Sequence, residues 1–244
     1  MALLHRATLT PTKRELMDAW LPSRAWFRGD VADLRPVGAY RFDDPDGEVG
    51  LEGFLLGDTA GTVLHLPLTY RAAPLLGADA YLVGTSDHSV LGPRWVYDGC
   101  ADPVWVRALV TAVLTGGAQA EQFIETDGRL EPRESSATVL GSGAPGTPVP
   151  TIDTVAGRDD EATTVVRAGG LEVVVVRAVG TPIEAARRSP AAGTAAAGRS
   201  WPGSAPPGGG CPGAASVPEL TAAMARPRGR SRAKADDSSR SGYG

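Results

Sequence analysis

Residues 37–56 read VGAYRFDDPDGEVGLEGFLL, and this stretch decides the fold. Val37 to Phe42 alternates with the period of a half-buried strand. Asp43-Asp44-Pro45-Asp46-Gly47 concentrates the residue types that form turns. Val49 to Leu56 then resumes as a strand, so the unit is a β-hairpin. The same pattern recurs outward from it. Thr62 to Tyr70 alternates, and Pro67 inside that run predicts an edge position or a bulge, because proline has no N–H to give a ladder. Ala80 to Val83, Arg94 to Tyr97 and Phe123 to Thr126 are short strand candidates, the last before a turn at Asp127-Gly128. Leu3 to Leu9 reads as a first strand. Thr163 to Arg167 and Leu171 to Val179 form another hairpin, hinged at Gly169-Gly170.

Two helices interrupt the strands. Thr10-Pro11-Thr12 opens the first: Thr10 or Thr12 can cap it, Pro11 suits the first turn, Thr12-x-x-Glu15 fits a capping box, and Leu16, Met17 and Trp20 make one apolar face. Pro22 stops it. Asp102 caps the second, Pro103 takes its first position, and Gly116-Gly117 ends it. Hairpin turns dominate and no strand–helix–strand alternation occurs. The expected class is α+β, a mostly antiparallel sheet of about six to eight strands with two helices against it.

Residues 1–180 read as one domain, within which 141–162 (GSGAPGTPVPTIDTVAGRDDEA) is expected as a flexible loop. The charge splits sharply. Residues 1–184 carry a net −10 and residues 185–244 a net +6, giving −4 for the 244-residue chain. An acidic body repels polyanions, so nucleic acid is not an expected partner of it. From Arg187 the chain has almost no Val, Ile, Leu or Phe to offset its ordering entropy. Residues 181–244 are therefore expected to be a disordered, basic, low-complexity tail. The abrupt break into Arg, Ala, Gly, Pro and Ser also fits GC-rich DNA read in a shifted frame.

Cys100 and Cys211 make neither a metal spacing nor a disulfide framework. No run approaches the ~18 apolar residues of a spanning helix, and the start lacks the pattern of a secretory signal. The expected location is cytoplasmic, without a membrane partner.

The motifs of the commoner enzyme classes are missing. HExxH and CxxC, GxSxG and GxxxxGK[ST] do not occur, and the glycines at 141–143 sit beside prolines. A kinase-type site needs a catalytic Asp with a metal-binding Asn a few residues on, yet the chain contains no Asn. No catalytic residue, metal or cofactor is assigned. Asp43, Asp44, Asp46 and Glu48 read as a solvated hairpin tip, and Asp159-Asp160-Glu161 as a solvated loop. The densest polar and aromatic stretch is Thr85–Asp98. His88 and Asp98 could pair across a hairpin there, with Trp95 and Tyr97 in the core. Candidate binding residues are Arg24, Trp26, His88, Arg94, Trp95 and Asp98; the flat faces of Trp26 and Trp95 would suit sugar C–H groups.

LPSRAWFRGD (Leu21–Asp30), following the first helix, resembles the LPxxRWFxGK-like start of the N-terminal cap domain of bacterial maltokinases, with Asp30 where the kinase caps tend to have Lys. LHLPLTYR (Leu64–Arg71), GTSDHSVLGPRWVYDGCADPV (Gly84–Val104) and LTGGAQAEQF (Leu114–Phe123) look like a stand-alone, kinase-less branch of that family, often labelled 1,4-alpha-glucan branching protein. The resemblance covers about residues 1–180 and implies a curved antiparallel sheet around a helix. In full maltokinases ATP phosphorylates maltose, and catalysis belongs to C-terminal lobes rather than to the cap. ATP binding would reach this chain by family inheritance only. The resemblance implies a non-catalytic accessory or regulatory module of maltose-1-phosphate and α-glucan metabolism. Its partner would be a kinase or glucan-metabolism enzyme, or a saccharide. The alternative is a fragment or relative of an ATP-dependent sugar kinase, or a small carbohydrate-active enzyme using His88, Arg94 and Asp98.

Overall fold

The computed structural model describes residues 2–4, 7–126, 129–180, 220–221 and 225–227. The expected turn at Asp127-Gly128 and nearly all of the expected disordered tail lie outside them. In chain order the elements are β1 (Ala2–Leu4), β2 (Leu9–Thr10), α1 (Lys13–Trp20), β3 (Arg35–Phe42), β4 (Gly50–Gly57), β5 (Val63–Arg71), β6 (Leu82–His88), β7 (Gly92–Asp98) and α2 (Pro103–Thr115). There follow β8 (Gln122–Thr126), β9 (Arg129–Arg133), β10 (Val139–Leu140), β11 (Val155–Asp159), β12 (Thr163–Ala168), β13 (Leu171–Val176) and β14 (Ala178–Val179). β15 (Leu220–Thr221) and β16 (Ala225–Pro227) complete the described chain.

The main sheet runs β2-β6-β7-β5-β4-β3, with β14 joining β5, and curls into a half-barrel in which every pairing is antiparallel. The fold is therefore α+β, and the hairpin read around Asp43–Gly47 is β3–β4. Asp44 holds that turn by accepting from the backbone N–H groups of Asp46, Glu48 and Val49. A second antiparallel sheet runs β11-β12-β13-β16, and a third joins β1, β8 and β9. Parallel pairing occurs only at β1–β8 and β10–β15 among the described residues.

Strand alternation divides most of the buried apolar residues of the main sheet between two cores. On one face Leu56, Leu64, Leu66, Leu68, Val83 and Val96 bury Leu16, Met17 and Trp20 of α1 together with Leu21 and Trp26. On the other face Tyr40, Phe42, Leu51 and Leu55 meet Trp105, Leu109 and Val113 of α2, which are covered in turn by Val166, Val173 and Val175 of the second sheet. α2 is thus sandwiched between two sheets, which explains its apolar content. Gly53 lets Tyr40 lie flat on the sheet, since any Cβ there would run into the phenol ring.

Both helix starts follow their sequence signals. Thr12 and Glu15 form the reciprocal capping box. Asp102 caps α2 through Val104 N at 2.9 Å, and Gly116 ends it at φ 71°. Asp102 also takes a two-pronged contact from Arg71, with both N–O distances 2.7 Å, although the carboxylate is fully buried. Replacing it removes a cap worth ~1 kcal/mol and strands Arg71. Asp102→Ala is expected to cost ~2–3 kcal/mol in urea unfolding, and Asp102→Asn about half of that, because the amide oxygen still caps.

Several expectations need correction. Pro11 precedes the cap of α1 rather than sitting in its first turn. Leu3–Leu9 is not one strand but contributes β1 and β2 to different sheets. The stretch 141–162 contains strand β11. Pro67 is neither on an edge strand nor at a bulge: β5 is interior, pairing with β4 along its length. Its other neighbour changes there, from β14 opposite Val63–Leu64 to β7 opposite Leu68–Arg71. His65 N, on the same side as the Pro67 nitrogen, still finds Arg177 O at 2.8 Å. Pro67 occupies the gap in which no ladder bond is asked of it.

Candidate functional site

The aromatic turn after α1 closes over a buried ion pair. Leu21 is fully buried, and Trp26, at 4% exposure, stacks edge-on against Trp20 with ring centroids 5.8 Å apart. On the Trp26 ring lies the Arg177 guanidinium, 4.8 Å from the centroid. Arg177 stands between β13 and β14 and has no exposed surface. Its Nη2 donates to Asp98 Oδ2 at 2.5 Å, and its Nε donates to Thr164 Oγ1 at 2.8 Å. Asp98, equally buried, uses its other oxygen to accept from Cys100 N at 3.0 Å. Burial alone would lower the Arg177 pKa, but the adjacent Asp98 carboxylate raises it further, so the cation is fixed.

The network continues outward. Thr164 donates to Asp159 Oδ1 at 2.7 Å, and Asp159 Oδ2 lies 3.8 Å from Arg24 Nη1. Arg24 also covers the Trp20 ring at 4.9 Å and donates to Ala80 O. One connected set thus runs from a half-covered arginine on the aromatic turn, through the second sheet, to the end of β7.

Beside it sits His65, 4% exposed. Its Nε2 is 2.8 Å from the Tyr40 hydroxyl, and its Nδ1 is 3.3 Å from Val176 O. A carbonyl can only accept, so Nδ1 carries the proton and Nε2 accepts from Tyr40. Burial, then the nearby Arg177 charge, pushes the His65 pKa down to about 3. Burial drives Tyr40 and the Cys100 thiol the other way, above their ordinary values. Near neutral pH burial holds these groups uncharged.

Of the six candidate residues, Arg24, Trp26 and Asp98 are gathered by this network. The other three lie along the β6–β7 hairpin. His88 pairs with Gly92 beside its turn, and its Nδ1 accepts from Val90 N and Leu91 N. Asp98 is at the opposite end of β7, ~20 Å away at strand rise, so the expected His88–Asp98 pair does not form. Trp95 is half-buried against the Ala78–Tyr97–Ala101 cluster, and Tyr97 is buried as expected. Arg94, on the opposite face of β7, donates to Pro93 O. Trp26 is part of a filled core and offers no free ring face.

The sequence reading passed over Arg177, Thr164 and His65, and it placed Asp159 in a solvated loop, whereas Asp159 ends β11 and accepts from Thr164. Arg177 did leave a signal: it is the one cation inside the run LEVVVVRAV, 171–179, at a place where a purely apolar strand would have served. Among the described residues no group of three or more His, Cys, Asp or Glu could hold a metal, and no helix is long and apolar enough to cross a membrane.

Residues 20–102, from the end of α1 through β7 to the cap of α2, match the family model of the maltokinase N-terminal cap domain. Over this stretch the chain is similar to a maltokinase N-terminal cap domain. No curated protein matches the chain. The cap match's opening stretch is explained by the geometry just given: Trp26 carries the Arg177 guanidinium, Arg24 reaches Asp159, and Leu21 is buried in the same core. Its last residues, Asp98 to Asp102, turn the chain from β7 into α2. The folded unit extends past the cap match, because Arg177, Thr164 and Asp159 all come from beyond residue 102.

Proposed function

We propose that this chain is a non-catalytic accessory module of maltose-1-phosphate and α-glucan metabolism that acts by docking on a partner enzyme, a kinase or a glucan-metabolism enzyme. The cap domain at 20–102 carries the reading. The disposition of side chains favours a protein partner over a saccharide. Trp20, Trp26 and Trp105 are spent in the cores, whereas aliphatic side chains stand out in loops: Leu76 is wholly exposed, and Val90 and Leu91 are 59% and 45% exposed beside His88 at the β6–β7 tip. Isolated aliphatics held by a rigid hairpin suit a protein pocket better than a sugar face. Arg24 and Asp98 act in this reading as positioning residues that shape the turn, while His88, Arg94 and Trp95 belong to the presented hairpin.

The test mixes the purified full chain with candidate kinases and glucan enzymes and measures co-elution and Kd. A complex is expected that weakens at least tenfold in Val90→Asp/Leu91→Asp with Tm unchanged. ATP or maltose turnover by the purified chain would overturn the proposal. So would maltose binding by calorimetry in a chain that recovers no enzyme partner.

A further inference from the structure

We propose that the outer edge of β13 is a strand-acceptor surface and that residues Ala225–Pro227 of the chain's own tail are its occupant, covering the edge against a second copy. β13 reads LEVVVV, and Leu171, Val173 and Val175 point into the core against α2. β12 satisfies one edge of β13 over all six residues. An antiparallel edge strand leaves every second N–H and C=O of its other edge unpaired. A valine-rich strand with one charge and no proline is the kind of edge that pairs readily with another chain.

The described residues place one partner there. Ala225–Pro227 runs antiparallel to β13 with Leu171 opposite Pro227, Glu172 opposite Arg226 and Val173 opposite Ala225. Two features of that register fit the segment to the edge. Glu172 already has Arg167 opposite on β12, with Nε and Oε2 3.9 Å apart, and the register sets position 226, an arginine in the sequence, on its other side. Pro227 falls at the end of the pairing, where a residue without an N–H ends a ladder at little cost. The 44 residues between Gly180 and Ala225 give ample length to return, and a tail of net +6 is drawn to a body of net −10. Leu220–Thr221, paired with β10, leads the chain in immediately before this contact.

The experiment compares the full chain, its Arg226→Pro variant and a chain stopped after Glu219, by amide hydrogen exchange and by light scattering after gel filtration. In the full chain the β13 amides facing away from β12 are expected to be protected. Arg226→Pro and the shortened chain should exchange them at least tenfold faster, with α2 and β12 unchanged. The shortened chain should also self-associate, and a peptide of residues 220–229 should restore both protection and the monomer. Equal β13 protection in all three chains overturns the proposal. A full chain already dimeric, with β13 protected whether or not the tail is present, also overturns it, because the occupant would then be the second copy.

Discussion

Arg177→Met is expected to destabilise the protein by ~3–5 kcal/mol, the largest effect of any single substitution considered. The reason is asymmetric. The Arg177–Asp98 pair is fully buried, so a methionine would leave the Asp98 carboxylate without its counter-ion and with Cys100 as its remaining neighbour. An unpaired buried charge costs far more than the pair contributes. Thr164 Oγ1 would lose its donor as well, and the Trp26 ring its cation. Urea unfolding measures the loss, and Trp26 emission should shift at denaturant concentrations where the rest of the chain is still folded. Adding Asp98→Asn should recover roughly half, since the amide oxygen can still accept from Cys100 N and no buried charge remains. A single Arg177→Met chain within ~1 kcal/mol of the parent would show that water reaches the pair and that the clamp is not what closes the fold.

The second large effect is acid sensitivity centred on His65. Its folded pKa of about 3 lies below the ordinary 6.5 expected in the unfolded chain. The unfolded state therefore binds a proton that the folded state refuses. The stabilisation from neutral His65 is complete above pH 6.5 and is lost as pH falls from 6.5 toward 3, at about 1.4 kcal/mol per pH unit. Between pH 6.5 and 4.5 the parent should lose ~2–3 kcal/mol more than His65→Gln, whatever the variant's starting stability. Carboxylates with lowered pKa, such as Glu52 held between Arg41 and Lys13, add their own loss at lower pH, but equally in both proteins. Parallel stability–pH curves for the two would mean that His65 is protonated inside the fold.

The parts of this architecture that the sequence disclosed are those that depend on neighbours in the chain. The β3–β4 turn, the Thr12 and Asp102 caps, the Gly116 stop and the Gly169-Gly170 hinge each announce themselves within four or five residues. What stayed hidden depends on distant partners. Pro67 looked like an edge residue because nothing local reveals that β5 exchanges β14 for β7 at that point. His88 and Asp98 looked like a pair because strand register was not fixed by the residues between them. Asp98 is 79 residues from Arg177, and Thr164 and Asp159 come from yet another strand pair. The six candidate residues fell into two groups for the same reason: three share the buried clamp and three share a hairpin.

The placement of Arg177 also governs how this chain must be made. The carboxylate of the cap domain is synthesised first, and its counter-ion emerges only 79 residues later. During that interval Asp98 lacks the cation that it is paired with in the folded chain, and burying it unpaired would be costly. The half-barrel takes on β14 only from beyond Arg177, so the distance between those two residues sets the earliest moment at which the pair can close.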